Sequence, residues 1–136
     1  MELKYADKIK CVQSCPPAGV APRVCQAFRF VHPDINHQNN YRPPEIIKHR
    51  DYDSVEEECS ALALSFFATA EQARAEFNEL KKGNKHIGKR IGDHLATVTI
   101  GDNDGMATSP GADGHFDLFE SSECNFVGRL AIEGAI

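Results

Sequence analysis

Three groups of side chains in this sequence could carry chemistry, and their spacing limits what each can do. Residues 26–31 (QAFRFV) alternate, with Phe28 and Phe30 on one side and Ala27, Arg29 and Val31 on the other. That pattern predicts a short strand, so Arg29 plants a guanidinium in the middle of a sheet. A buried cation without a partner is costly. Arg29 therefore needs either an internal carboxylate or an anion that is not part of the chain. His115 and Asp117 lie two apart in residues 115–120 (HFDLFE) and so share one strand face. A histidine held by a carboxylate can serve as a general base or a metal ligand, and it is also a common way for a strand to face solvent. Ser65 is a small polar residue late in the apolar run 59–67 (CSALALSFF), where a hydroxyl can bond to a nearby backbone group.

A polar loop offers a second set of contacts. Residues 36–44 (NHQNNYRPP) interleave amides with Tyr41 and Arg42, and Pro43-Pro44 forbids a helix through them. Asn40, Tyr41 and Arg42 are the loop groups best suited to adaptable recognition. Asp102 and Asp104 flank a turn and could share a hard cation. A calcium loop needs more oxygens and a late glutamate, which are absent, so no metal site is expected. The cysteines (Cys11, Cys15, Cys25, Cys59, Cys124) are odd in number, and Cys11 and Cys15 are not at zinc-site spacing. Free, largely buried thiols in a reducing cytoplasm are the expectation. Phosphate cradles of the G-x-x-x-x-G-K-[ST] and G-x-G-x-x-G kinds, H-E-x-x-H and G-x-S-x-G do not occur.

These groups need elements to position them. Residues 1–25 are proline-punctuated and predict an extended lead-in to a single domain over residues 26–136. The run 59–67 is apolar on both faces and predicts a central strand. Thr69 and Gln72 form a capping box, and Ala70, Ala73, Phe77 and Leu80 recur at helical spacing until Gly83. Ile87 and Ile91 suggest a short helical turn ended by Gly92. Residues 95–100 (LATVTI), 115–120 and 125–132 (NFVGRLAI) read as further strands. The fold expected is α+β, a mixed or antiparallel sheet of about five strands with one main helix packed on it.

One layout stands out in that order of elements. Arg29 on an early strand, Ser65 late in a middle strand, a following helix and then Glu120 on a later strand resembles ADP-ribosyltransferase-like domains. The likeness spans roughly residues 26–120. It implies NAD as cofactor or substrate, held by Arg29 and Ser65, with the Glu120 carboxylate offsetting the positive charge of a sugar intermediate. Residue 118, two before Glu120, is Leu rather than Glu or Gln, so the likeness stops short of transfer onto a protein side chain.

Composition narrows the rest. The chain has 136 residues, is 41% hydrophobic and 26% charged, and carries a formal net charge of −5. These proportions suit a globular domain, and no apolar run approaches the roughly 18 residues of a membrane span. The acidic balance argues against a nucleic-acid partner. A local basic cluster (Lys81, Lys82, Lys85, Lys89, Arg90) could meet a phosphate or a solvated surface. The sequence thus favours a small cytoplasmic binding or accessory protein. It would recognise a protein partner or small anionic ligand through Arg29, Asn40, Tyr41, Arg42, His115 and Asp117, with no cofactor. An NAD-using enzyme built on Arg29, Ser65 and Glu120 is the alternative.

Overall fold

A computed structural model describes all residues, Met1–Ile136. Alternating residues build six antiparallel strands: β1 (Cys25–Val31), β2 (Leu64–Phe67), β3 (His94–Ile100), β4 (Gly105–Ala107), β5 (His115–Glu120) and β6 (Ala131–Ala135). They form one open sheet in the order β4-β5-β2-β1-β3-β6. The α+β expectation holds, with one strand more than the approximate five. The extra strand is β4, whose three residues are too few for a period to show.

The helices are α1 (Ala6–Ile9), α2 (Pro44–Ile47), α3 (Val55–Ser60), α4 (Ala70–Gly83) and α5 (Ile87–Ile91). α4 begins as its sequence requires, with the Thr69 hydroxyl accepting from the Gln72 amide at 3.1 Å. Its buried residues Ala73 and Phe77 pack on the sheet face that carries Phe28, Phe30, Phe67 and Leu95. The opposite face is the larger core. There Ala27, Val31, Leu64, Phe66, Ala96, Val98, Phe116 and Leu118 are covered by Cys124, Phe126 and Leu130 of the C-terminal segment.

Three expectations need correction. The apolar run 59–67 is not one strand: α3 ends at Ser60, residues 61–63 turn, and only Leu64–Phe67 are extended. Ser54 caps α3 by accepting from the Glu57 amide at 3.1 Å. Glu56, Glu57 and Glu58 then lie in its first turn, where acids suit the helix dipole. The last strand starts at Ala131 rather than 125, because Gly128 turns the chain at φ +82° after the buried Phe126. Residues 1–25 are not merely extended either: Ile9 and Val12 join Cys59, Leu62, Ala63 and Phe119 in a buried cluster.

The cysteine expectation fails for one pair. Cys15 and Cys59 form a disulfide that ties the N-terminal segment to α3, while Cys11, Cys25 and Cys124 are free. The pairing spans 44 residues and could not be told apart from the other combinations by spacing.

Two junctions set the position of the functional residues. β1 and β2 are paired only at Phe28–Phe67, whereas β1 and β3 are paired at seven consecutive positions. The sheet therefore opens beyond Phe28. The second junction is Gly92, whose φ is +89° and whose Cβ, if present, would overlap the Val31 backbone. Only glycine lets the end of α5 lie this close to β1. Gly92→Ala should lower stability by about 2–4 kcal/mol, read as a drop in the urea midpoint. An unchanged midpoint would show that α5 does not rest there.

Candidate functional site

Arg29 points from β1 into the opening between β1 and β2. Its Nε donates to the Asn40 carbonyl at 3.1 Å, and Nη1 donates to the Ser65 carbonyl at 2.9 Å. The side chain thus bridges the space where the ladder stops, with the guanidinium 5.5 Å above the Phe66 ring. Nη2 makes no hydrogen bond within the chain and is not sealed off. The residue is 8% exposed. No carboxylate pairs with it. Burial lowers its pKa to about 10, opposed by the charge of Glu120, so it stays fully cationic at neutral pH.

A cavity of about 360 Å³ lies in front of it. Its floor is β1, β2 and β5, through Phe30, Ser65, Phe67 and His115. One wall is α4 and α5, through Glu76, Leu80, Arg90 and Ile91. The other is the segment from His32 to Arg50, including Asn39, Arg42 and Ile47. Four arginines (Arg29, Arg42, Arg50, Arg90) and two histidines thus face two acids, Glu76 and Asp113. In a half-enclosed space such an excess focuses a positive potential.

Ser65 and His115 meet on neighbouring strands, because the β2–β5 register sets Phe67 opposite His115 and Ser65 opposite Asp117. Ser65 Oγ lies 2.7 Å from His115 Nε2, and Asp117 Oδ1 lies 3.7 Å from the same nitrogen. A nucleophile–base–carboxylate relay needs the carboxylate on the other ring nitrogen, so the three do not make one. Asp117 itself does not line the cavity. It accepts from the Ser60 hydroxyl at 2.8 Å through Oδ2, while Oδ1 is buried without a hydrogen bond.

Burial raises the Asp117 pKa, against the Ser60 hydrogen bond and the nearby His115. A carboxyl group whose pKa is raised by folding disfavours the folded state when ionised, and the penalty fades as pH falls through the raised pKa. Asp117→Asn should therefore be as stable as the parent or roughly 1 kcal/mol more stable at pH 7. The difference should close towards pH 4. A marked loss of melting temperature at pH 7 would mean that the charge itself holds the fold.

The other sequence candidates divide clearly. Arg42 lines the cavity. Asn40 is buried and structural: Oδ1 accepts from the His32 amide at 2.7 Å, and Nδ2 donates to the Asp34 carbonyl at 2.9 Å. Tyr41 donates its hydroxyl to the Ile35 carbonyl at 2.7 Å and faces a separate hollow with Asn36, Gln38 and Val127. Glu120 stands on the sheet face opposite His115, where Lys4 Nζ donates to its Oε2 at 2.8 Å. It does not line the cavity. Of the trio Arg29, Ser65 and Glu120, the first two converge and the third does not.

Several lining residues were not singled out from the sequence: His32, Asn39, Arg50, Glu76 and Asp113. Arg90 was visible only as part of a basic cluster. Asp104, considered for a cation, instead holds Arg129 through both carboxylate oxygens, at 2.8 and 2.6 Å. The buried Cys124 thiol is pushed up to about 12 by burial and by Glu120, which removes it as a nucleophile at neutral pH. No group of three His, Cys, Asp or Glu side chains is placed to hold a metal ion, and no helix is long and apolar enough to cross a membrane. Compared with protein-family models, curated proteins and solved structures, the chain gives no match.

Proposed function

We propose that this protein binds a small anion in the cavity in front of Arg29, as a binding or accessory protein. One observation carries the reading: a buried guanidinium with no carboxylate at ion-pair distance, Glu120 acting on it only from further off, faces an open space that three further arginines also line. Two carbonyls and the Phe66 ring offset part of its desolvation, and an anion in the cavity would offset more. Arg29 is the fixed donor, since two backbone carbonyls hold it rigid and leave Nη2 free. His115 and Arg42 add to the polar lining. The probe is inorganic phosphate, titrated calorimetrically, with saturable binding expected. An absence of binding to the parent protein would overturn the reading.

The position of Glu120 favours binding over turnover of NAD. Its carboxylate is engaged with Lys4 on the far face, away from the space where a sugar would lie. Steady release of nicotinamide from NAD, lost in Glu120→Gln, would reverse that preference. The thiol argument for a reducing cytoplasm no longer stands once Cys15 and Cys59 are joined. A bond of this kind persists in oxidising compartments, and we place the protein's working environment there.

A further inference from the structure

We propose that the anion carries a flat apolar body, so that the ligand class is an aryl phosphate monoester rather than a bare or sugar-like phosphate. The inference rests on the anion-binding reading above and adds the second half of the ligand. Ile47 and Leu80 are the reason. They are 42% and 36% exposed, which puts them among the few large aliphatic side chains left open to solvent, and both line this cavity from opposite walls. Leu80 continues the apolar stripe of α4 one turn past Phe77 and, unlike Phe77, is not buried by the chain. Ile47 ends α2, none of whose residues is buried.

The floor between these two walls is aromatic. The Phe30 and Phe67 rings lie 5.3 Å apart, and the His115 ring meets Phe67 edge-on at 5.5 Å. A planar group entering between Ile47 and Leu80 would rest on this floor and bury apolar surface on three sides. Its anionic end would then point at Arg29, where the sheet opens. Arg29 where the sheet opens, with aliphatic groups on both walls and an aromatic floor, suits an amphipathic ligand.

The experiment compares inorganic phosphate, glycerol phosphate and phenyl phosphate on the full chain by calorimetry. Phenyl phosphate should bind at least about tenfold more tightly than the other two, from the apolar surface it buries. The double variant Ile47→Ser, Leu80→Ser changes only exposed positions. It should erase that advantage, bringing phenyl phosphate to the affinity of inorganic phosphate measured on the same variant. Binding of phenyl phosphate with no measurable binding of inorganic phosphate would place the affinity in the apolar body alone and overturns the anion reading on which the proposal rests. Equal affinity for all three, or a preference that survives the double variant, overturns the aryl body and leaves the anion site standing. Binding of none overturns both.

Discussion

Arg29→Met should abolish measurable phosphate binding while moving the melting temperature by no more than about 5 °C. Removing a buried charge from a charge-assisted contact costs about 2–4 kcal/mol of affinity, or thirtyfold to a thousandfold. Stability should change far less, because two effects oppose each other. The Asn40 and Ser65 carbonyls lose their donors, which costs about 1–3 kcal/mol each if they stay dry. Against that, the desolvated cation is gone, and methionine can fill the space beside Phe66. Water entering from the cavity can also satisfy the carbonyls. Arg29→Lys keeps the charge but cannot reach both carbonyls with a planar fork, so its affinity should fall between parent and methionine. If Arg29→Met binds phosphate normally, the anion is held by other residues and the assignment is wrong.

Cys15→Ser is expected to lower the melting temperature by about 10–20 °C. The disulfide closes a loop with a sequence separation of 44. In the chain-entropy account, releasing it returns about 4 kcal/mol of freedom to the unfolded chain. The folded side suffers as well. Cys59 is buried with Ile9, Val12, Leu62, Ala63 and Phe119, so the N-terminal segment loses its covalent tie to the cluster it helps to build. Thermal scans with and without reductant check this: the parent should drop to the level of Cys15→Ser, and the variant should ignore the reductant. Equal melting temperatures for all four samples would show that the bond contributes nothing.

Legibility in the sequence followed the strength of local signals. β5 and β1 could be read to within a residue, because alternation with period two is unambiguous over six or seven residues. α4 could be read because Thr69, Gln72 and Gly83 bracket it. The segment 55–67 could not, since an apolar run of nine residues fits a buried strand and a helix followed by a strand equally well. The charged member of the site was legible: a guanidinium among strand residues demands an explanation. Of its neighbours, Arg42 and His115 were legible as polar groups, and the rest were not. Arg50 and Arg90 come from different elements, and only tertiary packing brings them to one cavity with Arg29 and Arg42. Asn40 misled for a related reason. An amide in a polar loop looks available for recognition, yet here it is buried and holds the loop to β1.

The single pairing between β1 and β2 divides the sheet into two three-stranded panels, β4-β5-β2 and β1-β3-β6. Along this seam the backbone contributes one rung, and Arg29 adds a side-chain bridge to the apolar packing on either face. A molecule lodged there grips both panels at once. Occupancy would act as a rivet, slowing amide hydrogen exchange in both panels together rather than only beside the bound group.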